Sequence, residues 1–337
     1  MSILSKKIGV DLGTSTVQIY VKGEGIVVNE PSLVAVDRDG TRILAVGRQA
    51  FEMVGRAPET TQIVRPMREG VIADFAVTER MLHHLIGKAQ GRQRLFKPEV
   101  MLCVSSGVTS VERRVVTQAA ITAGARQAWL IDEPLAAAMG AGLPIAGSRG
   151  TAVCDIGGGT TEIAVISLSG MVVAQLIRIG GNRFDDAITN YLKRKHNLLV
   201  GERTAEEVKI AVGSAVPMQQ PLVTVVRGRD LVTGLPRNLD VSSNDIAEAI
   251  QEPLRLIVGA VRDVLNETPA ELAADILNRG IVLSGGGAQL RGLDRYVSTH
   301  NGIPAVVADE PQTSVVRGTG LALENFEVLK RNQSYLR

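Results

Sequence analysis

One hairpin occurs twice in this chain, and no other feature restricts the fold as strongly. Residues 6–21 read KKIGVDLGTSTVQIYV and residues 151–166 read TAVCDIGGGTTEIAVI. In each, an apolar run ends on an Asp, a glycine turn follows, and hydroxyl residues lead into a second alternating apolar run. That pattern predicts a strand, a tight turn and a returning strand. Asp155 stands 144 residues after Asp11, and Gly157 stands 144 residues after Gly13. A unit repeated once at so long a spacing implies two similar halves with their turns facing one ligand. Asp-Gly and Gly-Gly turns also close ordinary hairpins. The repetition, and a third glycine run at Gly285, Gly286 and Gly287, set these apart.

The remaining sequence reads as α/β. Val77, Met81, Leu82, Leu85, Ile86 and Ala89 predict a helix with one buried stripe. Residues 99–106 predict a buried strand, and residues 112–125 a helix ended by Gly124. Strands alternate with helices through both halves, which predicts mainly parallel sheets. Residues 221–242 break the rhythm with turn-rich β sequence and suggest a small inserted subdomain, with a second insert at residues 32–66. Residues 243–268 read as one helix, and residues 280–297 as a strand, a turn and a helix. No flexible linker separates the halves, so hinge motion is expected rather than independent domains.

Composition narrows the class. A chain of 337 residues can bury a large core and form more than one domain. A net charge of +2 gives no basic footprint for nucleic acid. Cys103 and Cys154 sit inside apolar runs, as buried thiols of a cytosolic protein do. His83, His84, His196 and His300 lack the spacing of a metal site. Neither a membrane span nor a secretory signal is expected.

Neither common glycine-rich nucleotide motif is present. A P-loop requires G-x-x-x-x-G-K-[ST], and a Rossmann turn requires G-x-G-x-x-G between strand and helix. The twin turns instead put Asp11 and Asp155 at strand ends. Thr14, Ser15 and Thr16 follow the first, and Gly157, Gly158, Gly159 and Thr160 follow the second. Glycine lets backbone N–H groups turn onto an anion, and hydroxyls add donors. A carboxylate beside phosphates points to Mg²⁺ held through water, because that ion keeps much of its hydration shell. Gly285, Gly286 and Gly287 read as the opening of a helix, a place that attracts phosphate, and suit the α-phosphate and nucleoside end. In LIDEPLAAAMGAG, Glu133 ends a strand just ahead of a helix that begins at Pro134. Ligands bind at such strand ends in α/β sheets, so Glu133 is a candidate base. A solvated helix cap is the plain alternative. Asp132 is expected to point the other way.

The two Asp-Gly hairpins, EPLAAAMGAG, SGGGAQLRGLD and VVRGTGLAL resemble the actin, sugar-kinase and heat-shock-chaperone ATPase superfamily. More narrowly, GIVVNEPSLVAVD, RPMREGVIADF, LFKPEV, VERRVV, GERTAEEVK and SGGGAQLRGLD resemble the MreB family of bacterial actins. The resemblance runs from about Lys7 to the last helix. It implies an actin-like, ribonuclease H-like duplicated α/β fold: two similar halves around a nucleotide cleft, each with a small inserted subdomain. In that scheme residues 1–31, 67–143 and 315–337 form subdomain IA and residues 32–66 form IB. Residues 144–181 and 243–314 form IIA, and residues 182–242 form IIB. ATP or ADP with Mg²⁺ would be the cofactors, with Asp11 and Asp155 flanking the ion through water. Thr14, Ser15, Thr16, Gly157, Gly158 and Gly159 would line the phosphates. Glu133 would position the attacking water, helped by Thr160. Glu206 and Lys209, one helical turn apart, would face the adenosine; by itself that spacing reads as a surface ion pair. Two residues depart from the family pattern: Asp132, where Glu is usual, and Trp129, where a smaller apolar residue is common.

The segment GRQRLFKPE sets Leu95 and Phe96 among Arg92, Arg94 and Lys97 ahead of a strand. The resemblance implies a membrane-inserting loop there; otherwise the two residues cap the core. The implied function is an ATP-dependent filament on the inner face of the cytoplasmic membrane. Slow ATP hydrolysis would time its polymer state while it directs cell-wall synthesis and rod shape. Its partners would be itself in double protofilaments, membrane lipids and elongation proteins such as RodZ, MreC and MreD, with no nucleic acid. A small-molecule kinase or a stand-alone chaperone ATPase of the same superfamily is the alternative.

Overall fold

The computed structural model describes residues 5–91 and 96–326. Two five-stranded sheets built on one plan form its frame. In the first, Lys7–Leu12 is central. On one side it pairs parallel with Glu99–Val104, which pairs parallel with Gln127–Asp132. On the other it pairs antiparallel with Thr16–Val21, and that strand with Gly25–Pro31. In the second sheet, Thr151–Ile156 is central. It pairs parallel with Ile281–Ser284 and, through it, with Ala305–Val307. Antiparallel to it run Thr161–Ser167 and then Gly170–Ile177. Registers repeat as well: Leu12 opposes Val17, and Ile156 opposes Thr161. The duplicated hairpin is therefore the centre of each sheet. It also makes both sheets mixed rather than mainly parallel, because a tight turn can only return the chain antiparallel.

Two other expectations are corrected. Residues 243–268 form two helices, Ser243–Ala249 and Gln251–Glu267. Pro253 lacks an N–H and is tolerated in a first turn, so it belongs to a new helix and not to the middle of a long one. The glycine run after Ile281–Ser284 opens a four-residue 3₁₀ turn, Gly286–Gln289, and the α-helix starts only at Leu293. Gly285 at φ +81° and Gly292 at φ +69° bracket that turn with left-handed backbone, which no helix continues. The helices Phe75–Gln90 and Ser110–Thr122 form close to where the pattern puts them. Asp74 caps the first, and a Thr109–Glu112 capping box starts the second.

Each half carries a small sheet. In the first, Val34–Asp37 lies between Ile43–Val46 and Thr61–Val64. In the second, Leu198–Leu199, Val223–Asp230 and Pro236–Ser242 pair beside the helices Gly181–His196 and Glu202–Val212. Separate apolar cores fill the two halves. A third core lies between them, joining Met101 and Cys103 of the first sheet to Val153, Ala164 and Ile166 of the second. Two helices, Glu133–Gly140 and Ser314–Glu324, cross there at glycines. A Cβ on Gly318 would stand 1.7 Å from the Ala136 carbonyl oxygen, and one on Gly140 would stand 1.7 Å from that of Ser314. Trp129 packs at the edge of this core, its ring 4.5 Å from that of Phe326.

Candidate functional site at the twin turns

The two turns are alike in bonding as well as sequence. Gly13 N–H donates to the Thr16 carbonyl at 3.1 Å, and Gly157 N–H donates to that of Thr160 at 2.9 Å. The start of helix Gly181–His196 holds the second turn: Gly181 and Asn182 N–H donate to the carbonyls of Gly157 and Gly158. The tips meet across the gap between halves. A Cβ on Gly158 would lie 2.0 Å from Ser15 Oγ, and one on Gly159 would lie 2.7 Å from Thr14 Oγ1. Glycine is required here by close approach of the opposite turn. Ser15 Oγ also donates across the gap to Asn182 Oδ1 at 3.0 Å.

One cavity of about 570 Å³ opens between the turns, within the usual range for small-molecule sites. Asp11, Thr14, Ser15, Thr16, Glu133, Asp155, Gly157, Gly158, Gly159, Thr160, Glu206, Lys209, Gly285, Gly286 and Gly287 all line it. Asp132 points elsewhere, to an ion pair with Arg113. Lys209 does not pair with Glu206 one turn away. Its Nζ donates to Asp185 Oδ2 at 2.8 Å and to the Gly181 carbonyl at 3.1 Å, which ties helix Glu202–Val212 to the base of the second turn. Burial outweighs that ion pair and pushes the Asp185 carboxyl up to about 6.

The carboxyl groups are the electrostatic centre. Burial pushes Asp11 up to about 6 and Asp155 up to about 7. Cys103 Sγ donates to Asp11 at 3.2 Å, and Ser284 Oγ donates to Asp155 at 2.6 Å, each opposing that rise. Burial pushes Glu133 well above the ordinary range, reinforced by the charges of Glu162, Asp155 and Asp11. Glu162 is also raised by burial. Three of these carboxyls, the buried Asp155 and the half-buried Asp11 and Glu133, line the cavity and suit a divalent cation beside a poly-anion. Among the described residues no group of three or more His, Cys, Asp or Glu could hold an ion directly. Asp11 and Asp155, facing the cavity from the two turns, fit Mg²⁺ held through water beside phosphate.

A pH dependence follows. Asp11 and Asp155 have folded values above their usual 3.8, so the fold favours their protonated forms. Their contribution to stability is full below about pH 4 and is lost as pH rises through 6 and 7. The melting temperature of nucleotide-free protein should fall between pH 5 and pH 7.5, and Mg²⁺ with ADP should flatten the slope. A nucleotide-free melting curve independent of pH over that range contradicts the burial of these groups.

Sequence reasoning passed over Cys103, Ser284 and Glu162. The first two sit on neighbouring parallel strands, 92 and 129 residues from the Asp each one holds. Glu162 had a signal: a lone carboxylate inside the apolar strand Thr161–Ser167, opposite Asp155, as Gln18 stands opposite Asp11. Of the segment proposed to reach a membrane, Phe96 is exposed, at 47%, and so is Lys97. Leu95, Arg92 and Arg94 lie outside the described residues. Among the described residues no helix is long and apolar enough to cross a membrane.

Two like-built halves clamping one cavity between twin Asp-Gly turns is the actin-like fold, and solved structures agree. MreB5 of Spiroplasma citri bound to ADP superposes with a TM-score of 0.92 at 35% identity, covering 97% of this chain and 99% of that one. The MamK double helical filament has the same fold, with a TM-score of 0.81 at 23% identity, covering 95% and 99%. The chain belongs to the MreB/Mbl family, whose model for the MreB/Mbl protein matches residues 5–331. Among its curated relatives is the cell shape-determining protein MreB of Escherichia coli (strain K12), 51% identical over 331 residues, 97% of this chain and 95% of that one.

Proposed function

We propose that this protein is an ATP-dependent filament-forming bacterial actin that hydrolyses ATP slowly and uses hydrolysis to time the polymer. Convergence of the twin turns, Glu133 and Thr160 on one cavity carries this reading. It is supported by the nucleotide bound to the relative MreB5 and by the cell-shape role for which the Escherichia coli relative is named. Thr14, Ser15, Thr16 and the N–H groups of Gly157, Gly158 and Gly159 would hold the phosphates. Gly285, Gly286 and Gly287 would sit toward the nucleoside, with Glu206 and Lys209 beside the adenosine. Asp11 and Asp155 would hold the waters of Mg²⁺, which when bound supplies charge neutralisation at the phosphates. Phosphoryl transfer to water is governed by positioning and electrostatics. Glu133, assisted by Thr160, would orient the attacking water. The four-subdomain division given above would then let closure of the cleft reach the filament contacts.

The second part of the proposal concerns location. Phe96 is exposed beside Lys97, and Leu95 precedes it. Burying an apolar side chain of this size contributes about 1.5–3 kcal/mol, and each basic residue near an anionic surface about 1 kcal/mol. Such a segment would bind weakly alone, but a filament repeats it, and avidity favours the polymer over the monomer. The protein would thus lie on the inner face of the cytoplasmic membrane and guide cell-wall synthesis with elongation proteins such as RodZ, MreC and MreD. Replacing both Leu95 and Phe96 by Ser should abolish co-sedimentation with anionic liposomes and leave assembly intact. Electron microscopy of the wild type with Mg²⁺, ATP and those liposomes tests the whole reading. Paired filaments on the lipid support it. Absence of polymer with every nucleotide, together with phosphate transfer to a small acceptor, would replace it by a kinase.

A further inference from the structure

We propose that Glu162 is the positioning residue of the hydrolytic site: it reaches from the second half to hold the Glu133 carboxyl, so the base is aligned only when the cleft is closed. This rests on the reading of Glu133 given above. Glu162 stands in strand Thr161–Ser167, opposite Asp155, and is 1% exposed. A carboxyl group buried within a strand needs polar partners, and those of Glu162 lie in the other half of the molecule. Its Oε2 accepts the Ser106 N–H at 2.8 Å, its Oε1 is buried without a hydrogen-bond partner among the described residues, and the Glu133 carboxyl lies beside it. The Ser105 hydroxyl in turn donates to Glu133 Oε2 at 3.3 Å.

Glu133 and Ser105 line the cavity; Glu162 stands behind them and does not. Its influence on the chemistry therefore runs through Glu133. Opening the cleft would separate Glu162 from Ser106 and Glu133 together, because one wall carries Glu162 and the other carries both partners. The same sheet position in the first half holds Gln18, opposite Asp11 and 3% exposed. A neutral side chain of the same shape is thus accommodated at the twin position, and Glu162→Gln is expected to fold.

The test uses the full chain as wild type, Glu162→Ala, Glu162→Gln, Glu133→Ala and the Glu133→Ala/Glu162→Ala pair. Single-turnover phosphate release and ATP affinity are measured for each. Glu162→Ala should slow release about tenfold or more with ATP affinity within about threefold. Glu162→Gln should recover to within about threefold of wild type, since its amide still accepts from Ser106 and can donate to Glu133. In the Glu133→Ala background, loss of Glu162 should add less than about twofold, as for residues that act as a unit. Should Glu162→Ala fail to fold, a Glu162→Gln rate in that window supports the inference, and a rate down tenfold with affinity down equally overturns it. The inference is also overturned if Glu162→Ala hydrolyses at the wild-type rate, or slows hydrolysis equally with and without Glu133. A wild type that binds ATP without hydrolysing it overturns the reading of Glu133 and this inference with it, a failure visible in the wild-type trace alone.

Discussion

Replacing Glu133 by Ala should lower ATP hydrolysis by about a hundredfold or more while nucleotide binding stays near that of wild type. Glu133 begins helix Glu133–Gly140 at the end of strand Gln127–Asp132, so its backbone is fixed by two elements at once. It faces the cavity between the twin turns. The turns and the Lys209–Asp185 tie are untouched by the change, so phosphate and nucleoside contacts should survive. Burial and neighbouring carboxyls raise Glu133, so only its ionised fraction can act as base, and that fraction grows with pH. The wild-type rate should therefore climb with pH above the ordinary carboxylate range, and that limb should vanish in Glu133→Ala. Phosphate release at several pH values, beside a fluorescent-nucleotide titration, reads both. Unchanged hydrolysis in Glu133→Ala would remove it from the mechanism.

Replacing Gly318 by Ala should destabilise the protein by about 1–3 kcal/mol or more. The added Cβ would stand 1.7 Å from the Ala136 carbonyl oxygen and 2.9 Å from Gly140 N, both backbone atoms that no rotamer change can move. Relief requires the two crossing helices to separate, and the core that joins the sheets is built on them. Gly259, inside helix Gln251–Glu267, is the control. A Cβ there meets nothing within 4 Å, so Gly259→Ala should gain about 0.5–1 kcal/mol from helix propensity. Chemical denaturation of both variants gives the comparison. Wild-type stability for Gly318→Ala would mean that the crossing is not closely packed.

Legibility in the sequence followed the range of the interaction. The twin hairpins could be read because a strand, a turn and a returning strand are local, and because the copy is in register down to the Leu12–Val17 and Ile156–Thr161 pairs. The helix Phe75–Gln90 could be read from its 3.6-residue stripe. The break ahead of Pro253 is also written in the chain, as a proline inside a helical pattern. What could not be read was set by partners far along the chain. Nothing near Asp155 tells that Ser284 will hold it, and nothing near Lys209 tells that Asp185, on another helix, outcompetes Glu206. The glycine run at Gly285 could not be resolved into a helix start or a 3₁₀ turn, because the left-handed backbone of Gly285 and Gly292 answers to tertiary packing.

The most direct measurement follows light scattering and phosphate release together after Mg²⁺ and ATP are added to the purified protein. Polymer should form only with nucleotide, should precede phosphate release, and should outlast the wild-type polymer when Glu133 is Ala. Polymer of equal amount and lifetime without nucleotide, or steady ATP turnover with no polymer, would contradict the central claim that one clamped nucleotide times the filament.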